Sequence, residues 1–223
     1  MASDVSAGPA RPLWDVPTRI VHWSLVVLLL VAWFTGGENM QLHHWTGYTI
    51  LGLLVFRLWW GVAGGSTARF AHFLTGPGET IGYLRTLGQR SPSQAAGHNP
   101  LGAWSVLAMI LVLLVQVGLG LFASDIDGLE SGPLSHLVDF DASRAAAELH
   151  ELTFRIVQAL VALHIAAIAF YAIWKRQNLI GAMITGKRPF LGEALRPAKL
   201  WSYLVGLALA VLVAWFITKG LKF

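Results

Sequence analysis

Residues 145–174, AAAELHELTFRIVQALVALHIAAIAFYAIW, decide the fold. A helix rises about 1.5 Å per residue, so about 20 apolar residues cross a bilayer. This run exceeds that length, which predicts a helix that tilts or projects beyond the hydrocarbon. Four further apolar runs, Ile20–Thr35, Leu42–Val62, Leu101–Phe122 and Leu200–Ile217, are also of spanning type. The composition agrees: 55% of residues are hydrophobic and 13% charged, against about 25% charged in soluble domains. None of the runs alternates with period two, and backbone groups in lipid must be paired internally, so the spans are helices. The first run is the shortest. No small-residue cleavage site follows Trp33-Phe34 and it carries His22 and Trp23, so it reads as a retained span and not a signal peptide.

Charge sets the expected topology. Arg11, Arg19, Arg57, Arg69, Arg85, Arg90, Lys175, Arg176, Lys187, Arg188, Arg196 and Lys199 fall on the side of the N-terminus, whereas Arg144, Arg155, Lys219 and Lys222 fall on the other. The positive-inside rule then predicts a cytoplasmic N-terminus and, after five spans, an external C-terminus. The outer segments carry Glu38, Asp125, Asp127, Glu130, Asp139, Asp141, Glu148 and Glu151, an acidic surface. The basic inner loops suit anionic lipid and imply no nucleic-acid partner. Between spans two and three, Ile81, Leu84 and Leu87 have the spacing of a short interfacial helix over 79–87, and Asn99-Pro100 reads as a helix start.

The chain has no cysteine, which excludes disulfides, thiolate metal sites, iron–sulfur clusters and covalent haem attachment. Histidine is the remaining source of metal ligands. Ionisable residues at membrane depth are costly and mark functional sites. His22 lies near the inner end of span one, His43 and His44 at the outer end of span two, and His150 and His164 on span four. Fourteen residues carry the last two through about 1400° and about 21 Å, so they share a face at two depths. Depth matches His150 with His43, and His164 with His22. Two imidazoles facing each other across helices are what a six-coordinate haem requires. Periodicity leaves His44 open as a competitor of His43. Gly47, one turn after His43, is placed to admit a macrocycle, with Gly118 and Gly120 as weaker candidates. Arg57 shares the His43 face at the inner level and is a candidate propionate partner or an ordinary interfacial anchor. Arg155 is a candidate partner for an outer propionate, for Glu151 or for a quinone head group. His72, His98 and His136 read as loop residues in solvated or interfacial positions, and the tryptophans near span ends as an interfacial belt.

With these residues in place, the chain resembles the bacterial cytochrome b561 and nickel-hydrogenase b-type cytochrome family. The resemblance rests on WDVPTRIVHW ending at Trp23, HHWTGY with His43 four residues before Gly47, Arg57 in LLVFRLWWG, and LHEL followed by ALHIAA, which carries His150 and His164. It covers Trp14 to Gly186. It implies an all-α membrane protein, a four-helix haem-binding bundle, with two non-covalent haem b groups: one on His22 and His164, the other on His43 and His150, in preference to His44. It further implies a bacterial inner-membrane protein that passes electrons between quinone and a periplasmic redox partner, a c-type cytochrome, dehydrogenase or hydrogenase. The chain departs from the family in adding a C-terminal transmembrane helix. The expected division is a cytoplasmic tail at 1–13, the cytochrome domain at 14–190, and a linker with the extra helix at 191–223. Self-association and the extra helix's task stay open. Two other functions compete: a superoxide:quinone oxidoreductase of the same fold, disfavoured by the acidic outer face, and a metal or proton transporter, disfavoured because no carboxylate lies mid-span. A purely structural subunit would tolerate loss of His164.

Overall fold

The structure, a computed structural model, describes residues 9–90, 97–190 and 193–221. Residues 1–8 of the expected tail, residues 191–192 of the expected linker, and Lys222 lie outside them. Among the described residues, five helices are long and apolar enough to cross a membrane: α1 (Val16–Thr35), α2 (Met40–Ala63), α5 (Pro100–Phe122), α6 (Phe140–Ile173) and α8 (Leu200–Thr218). Short helices α3 (Phe70–Phe73), α4 (Pro77–Arg85) and α7 (Leu179–Thr185) lie between them. The chain is an all-α multi-pass membrane protein.

Each start has a local cause. Asp15 caps α1 by accepting from the Thr18 amide at 2.9 Å, and Pro17 favours the first turn. The first span therefore begins four residues earlier than hydropathy alone indicates. Asn39, Asn99, Asp139 and Asn178 cap α2, α5, α6 and α7 in the same way. The Asp139 cap starts α6 within polar sequence, giving a 34-residue helix of about 51 Å, well beyond the hydrocarbon thickness of about 30 Å.

Helix α2 is the hub, packed against α1, α5 and α8, while α5 and α6 form a second pair. At mid-height Ile50 and Leu54 of α2, Leu113 and Val117 of α5 and Val157 of α6 make a buried apolar core, flanked by Leu25, Leu28 and Leu29 of α1. This core separates the levels of the two expected histidine pairs. The fifth spanning helix is built into the fold. Ser202, Gly206 and Ala210 are buried at four-residue spacing, and a Cβ on Gly206 would stand 2.6 Å from Trp59 Cδ1. Trp59 donates to the Ser202 carbonyl at 2.9 Å, and Trp60 lies 4.6 Å from Tyr203.

Two three-residue strands, β1 (Ala10–Pro12) and β2 (Lys187–Pro189), pair antiparallel with Arg11 opposite Arg188. Leu13 and Trp14 both donate to the Gly186 carbonyl, and Leu13, Trp14, Ala182 and Phe190 pack as a second apolar cluster. The last residues of the expected tail are thus tied to the end of the cytochrome region. Gly186 closes α7 at φ +77°, where a side chain would be strained.

Candidate functional site

The structure brings the four histidines together as two pairs. The His22 ring on α1 lies 6.4 Å from His164 on α6, and the His43 ring on α2 lies 6.2 Å from His150 on α6. An imidazole radius of about 1.2 Å plus a metal–nitrogen bond of about 2.0–2.1 Å, doubled, spans about 6.5 Å. Both separations would leave room for one metal between the two rings of a pair. Among the described residues no group of three or more His, Cys, Asp or Glu could hold a metal ion. Pairs suffice where a macrocycle supplies the other four donors.

The pair at the face remote from the N-terminus borders a cavity of about 510 Å³, lined by His43, His150, Gly47, Gln116, Trp33 and Phe154 among others. His43 Nδ1 stands 3.0 Å from the Ala32 carbonyl, and His150 Nδ1 stands 2.8 Å from the Gln116 carbonyl. In each case the Nδ1–H donates to a backbone oxygen, which leaves Nε2 as the lone-pair nitrogen. Gln116 Nε2 lies 3.1 Å from His150 Nε2, while its Oε1 accepts from Thr153, so this amide holds the lone pair that a metal would take. A Cβ on Gly47 would meet nothing within 4 Å, so the glycine leaves open room in the cavity wall. A Cβ on Gly120 would lie 2.9 Å from His150 Cε1, so this glycine admits the imidazole itself; Gly118 faces open space. His44 also lines the cavity, 6.3 Å from the Tyr48 ring.

At the other level, His22 Nδ1 is buried without a hydrogen-bond partner, and the ring meets Trp23 edge-on at 5.1 Å. Arg57 is buried. It donates to the Ala68 carbonyl at 3.4 Å, stacks over Phe70 at 5.0 Å and feels the carboxylate of Asp15. Asp15 is itself buried and accepts from Trp60 Nε1 at 2.9 Å.

Arg155 is in a different position. Its guanidinium pairs with Glu151 at 2.7 Å, both side chains are exposed, and Arg155 is absent from the cavity lining, which Glu151 joins. His72 and His136 are exposed, as expected. His98 corrects the sequence reading. It is no solvated loop residue: its ring lies 4.7 Å from both Trp14 and Phe73, and its Nδ1 is buried without a partner. Burial above all, then the charges of Arg57, His164 and His22, lowers its pKa to about 3.

The fold therefore accommodates the neutral His98 ring. Its folded value lies below the unfolded one of about 6.5, so its contribution to stability is complete above pH 6.5. The contribution is lost as pH falls towards 3, at up to about 1.4 kcal/mol per pH unit. Melting of the detergent-solubilised protein is expected to shift down between pH 6.5 and pH 4 by more in the wild type than in His98→Phe. Equal shifts would show that the ring is not held neutral.

Gln116 was missed on sequence, although an amide in the interior of a 23-residue apolar helix is costly and was the available signal.

A family profile described as prokaryotic cytochrome b561 matches residues 13–186. The chain belongs to this family. Relatives named as probable Ni/Fe-hydrogenase B-type cytochrome subunits, from Rhizobium leguminosarum bv. viciae and Azotobacter chroococcum mcd 1, are each 24% identical. Each alignment covers 80% of this chain and 88% of the relative. No solved structure matches. As a member of the cytochrome b561 family the protein is a membrane b-type cytochrome with haem b as cofactor, acting in electron transfer. The facing imidazoles, the cavity beside one pair and the open wall at Gly47 fit that group. Helix α8 lies beyond the matched segment.

Proposed function

We propose that this cytochrome carries two haem b groups, on His22 with His164 and on His43 with His150, and passes electrons across the inner membrane between quinone and a periplasmic redox partner. The observation that carries the reading is the pair of imidazole–imidazole separations, 6.4 and 6.2 Å, at two levels divided by an apolar core. Haem b supplies a one-electron iron couple when bound. The protein's part is to offer neutral nitrogen donors, fix their tautomers and exclude water. The Ala32 and Gln116 carbonyls fix the tautomers of His43 and His150, and Ile50, Leu54, Leu113 and Val157 keep the space between the levels dry. Among the described residues Arg57 makes a single long bond, to Ala68, and its remaining donors suit it to a carboxylate of the group bound nearest it.

Orientation follows from charge, with the basic face cytoplasmic and the acidic face periplasmic. The relatives are named as Ni/Fe-hydrogenase subunits, and the periplasmic partner of this chain is either a c-type cytochrome or a dehydrogenase of that kind. Superoxide oxidation is a weaker reading, because an anion approaching the His43 level meets eight acidic side chains against four basic ones on that face.

A reduced-minus-oxidised spectrum of the purified protein, with haem quantified against chain, tests this. Two b-type haems per chain are expected; one or none overturns the two-site reading.

A further inference from the structure

Residues 123–139 join α5 to α6 at the face remote from the N-terminus. Asp125 donates its amide to the Glu130 carbonyl at 3.0 Å, the Ser124 and Ser131 hydroxyls meet at 3.0 Å, and Gly128 makes the turn at φ +70°. The result is a small hairpin, anchored by the Arg144 guanidinium on the Ser124 carbonyl at 2.7 Å. Its base is pressed onto the end of α5: Leu134 donates to the Leu121 carbonyl at 2.9 Å, and a Cβ on Gly132 would stand 2.3 Å from the Gly120 carbonyl oxygen. Gly120, Leu121 and Pro133 in turn line the cavity beside His43 and His150. The hairpin therefore stands on the wall of that site.

The tip is unusual for its exposure. Leu129 is 83% exposed, more than any other large apolar side chain described, and Ile126 is 73% exposed. Elsewhere such exposure is concentrated on the spanning helices, where lipid covers it. Here the exposed Asp127 and Glu130 adjoin the two apolar residues, Asp125 turns one carboxylate oxygen inward, and residues 123–139 hold no lysine or arginine. Sinking Ile126 and Leu129 into hydrocarbon would drag these charges with them. Two copies of the hairpin meeting face to face would set like charges together.

We infer that this hairpin is the docking surface for a basic, water-soluble electron-transfer protein, with Ile126 and Leu129 at the centre of the contact and the exposed carboxylates of Asp127 and Glu130 beside them. An apolar centre within a charged rim is the usual anatomy of such contacts, and opposite charge speeds encounter. The inference rests on the proposal that electrons leave or enter at this face.

The test uses the full-length cytochrome in nanodiscs, with a strongly basic c-type cytochrome as probe and an acidic one as control. The wild type is expected to bind the basic probe, more weakly as salt rises, and to bind the acidic one far less. Ile126→Ser/Leu129→Ser is expected to weaken binding about tenfold. Asp127→Asn/Glu130→Gln is expected to weaken it several-fold and to flatten the salt dependence, both with unchanged haem spectra. No binding by the wild type, equal binding of the acidic control, or variants that bind as the wild type does would each overturn the inference. So would a polarity-sensitive label on Leu129→Cys that reports a lipid environment, or self-association abolished by Ile126→Ser/Leu129→Ser. Binding is read independently of haem: a colourless protein whose binding still depends on the hairpin would overturn the two-haem reading and leave the docking surface standing.

Discussion

His164→Leu is expected to abolish one of two b-type haem signals and leave the other at full strength, and His43→Leu to do the reverse. The two pairs use different partners on α1 and α2 and share only α6, where fourteen residues, or about 21 Å, separate His150 from His164. Loss of one ligand should therefore not reach the other level. Leucine is the useful replacement because it leaves no unpaired polar group in the bundle, so a lost signal reports a lost ligand and not a failure to fold. On its own helix His164 has only the apolar neighbours Ala162, Leu163, Ile165 and Ala166, and His98, the other imidazole near this level, is controlled for by His164→Leu/His98→Phe. The His43 arm carries its own check, because His44 also lines the cavity and turns towards Tyr48. If His43→Leu keeps two haems and His43→Leu/His44→Leu keeps one, His44 serves as a ligand. If His164→Leu keeps both haems, the pairing with His22 is wrong.

Much of this arrangement was legible in the sequence because it depends on two regular quantities, apolar run length and helical rise. The spans follow from the first. The matching of His22 with His164 and of His43 with His150 follows from the second, since helices crossing one slab share a depth scale. The same arithmetic bears on Arg155: five residues past His150 is about 500°, or about 140° round the helix, which turns it away from the His150 face. Its ion pair with Glu151 on the exposed side follows from i,i+4 spacing. What sequence could not supply were contacts between segments without periodicity. The Ala10–Pro12 strand is three residues long and ends in proline, too short to alternate, and it exists because residues 187–189 lie beside it. His98 precedes a helix cap in a polar stretch, and only the arrival of Trp14 and Phe73 from other segments half-buries it and covers its Nδ1. Glycines posed the opposite difficulty. Gly47, Gly118 and Gly120 look alike as letters, yet Gly47 leaves open room in the cavity wall, Gly118 lies off the cavity facing open space, and Gly120 lies in the wall under an imidazole.

That last difference gives the second large effect, expected from Gly120→Val. The His150 ring packs on α5 where a side chain would otherwise stand: a Cβ at Gly120 would lie 2.9 Å from His150 Cε1 and 3.1 Å from Nδ1. The ring cannot retreat freely, because its Nδ1 is held 2.8 Å from the Gln116 carbonyl one turn away on the same helix. Alanine already requires the ring to move by tenths of an ångström, and valine's two further methyl groups require it to leave this position. Overpacking of this kind costs about 1–3 kcal/mol, and here the cost falls on a ligand and on the hydrogen bond that sets its tautomer. Gly120→Val is therefore expected to lose the haem on His43 and His150, or to retain it with a shifted midpoint potential, while the signal that depends on His164 is unchanged. Gly118→Val provides the comparison within the same helix: its Cβ would meet nothing within 4 Å, so both haems and both potentials should persist. A potentiometric titration of the two variants beside the wild type separates the outcomes. Two haems at wild-type potentials in Gly120→Val would mean that the His150 ring does not rest on α5 at Gly120, and its assignment as a ligand would fall with that placement.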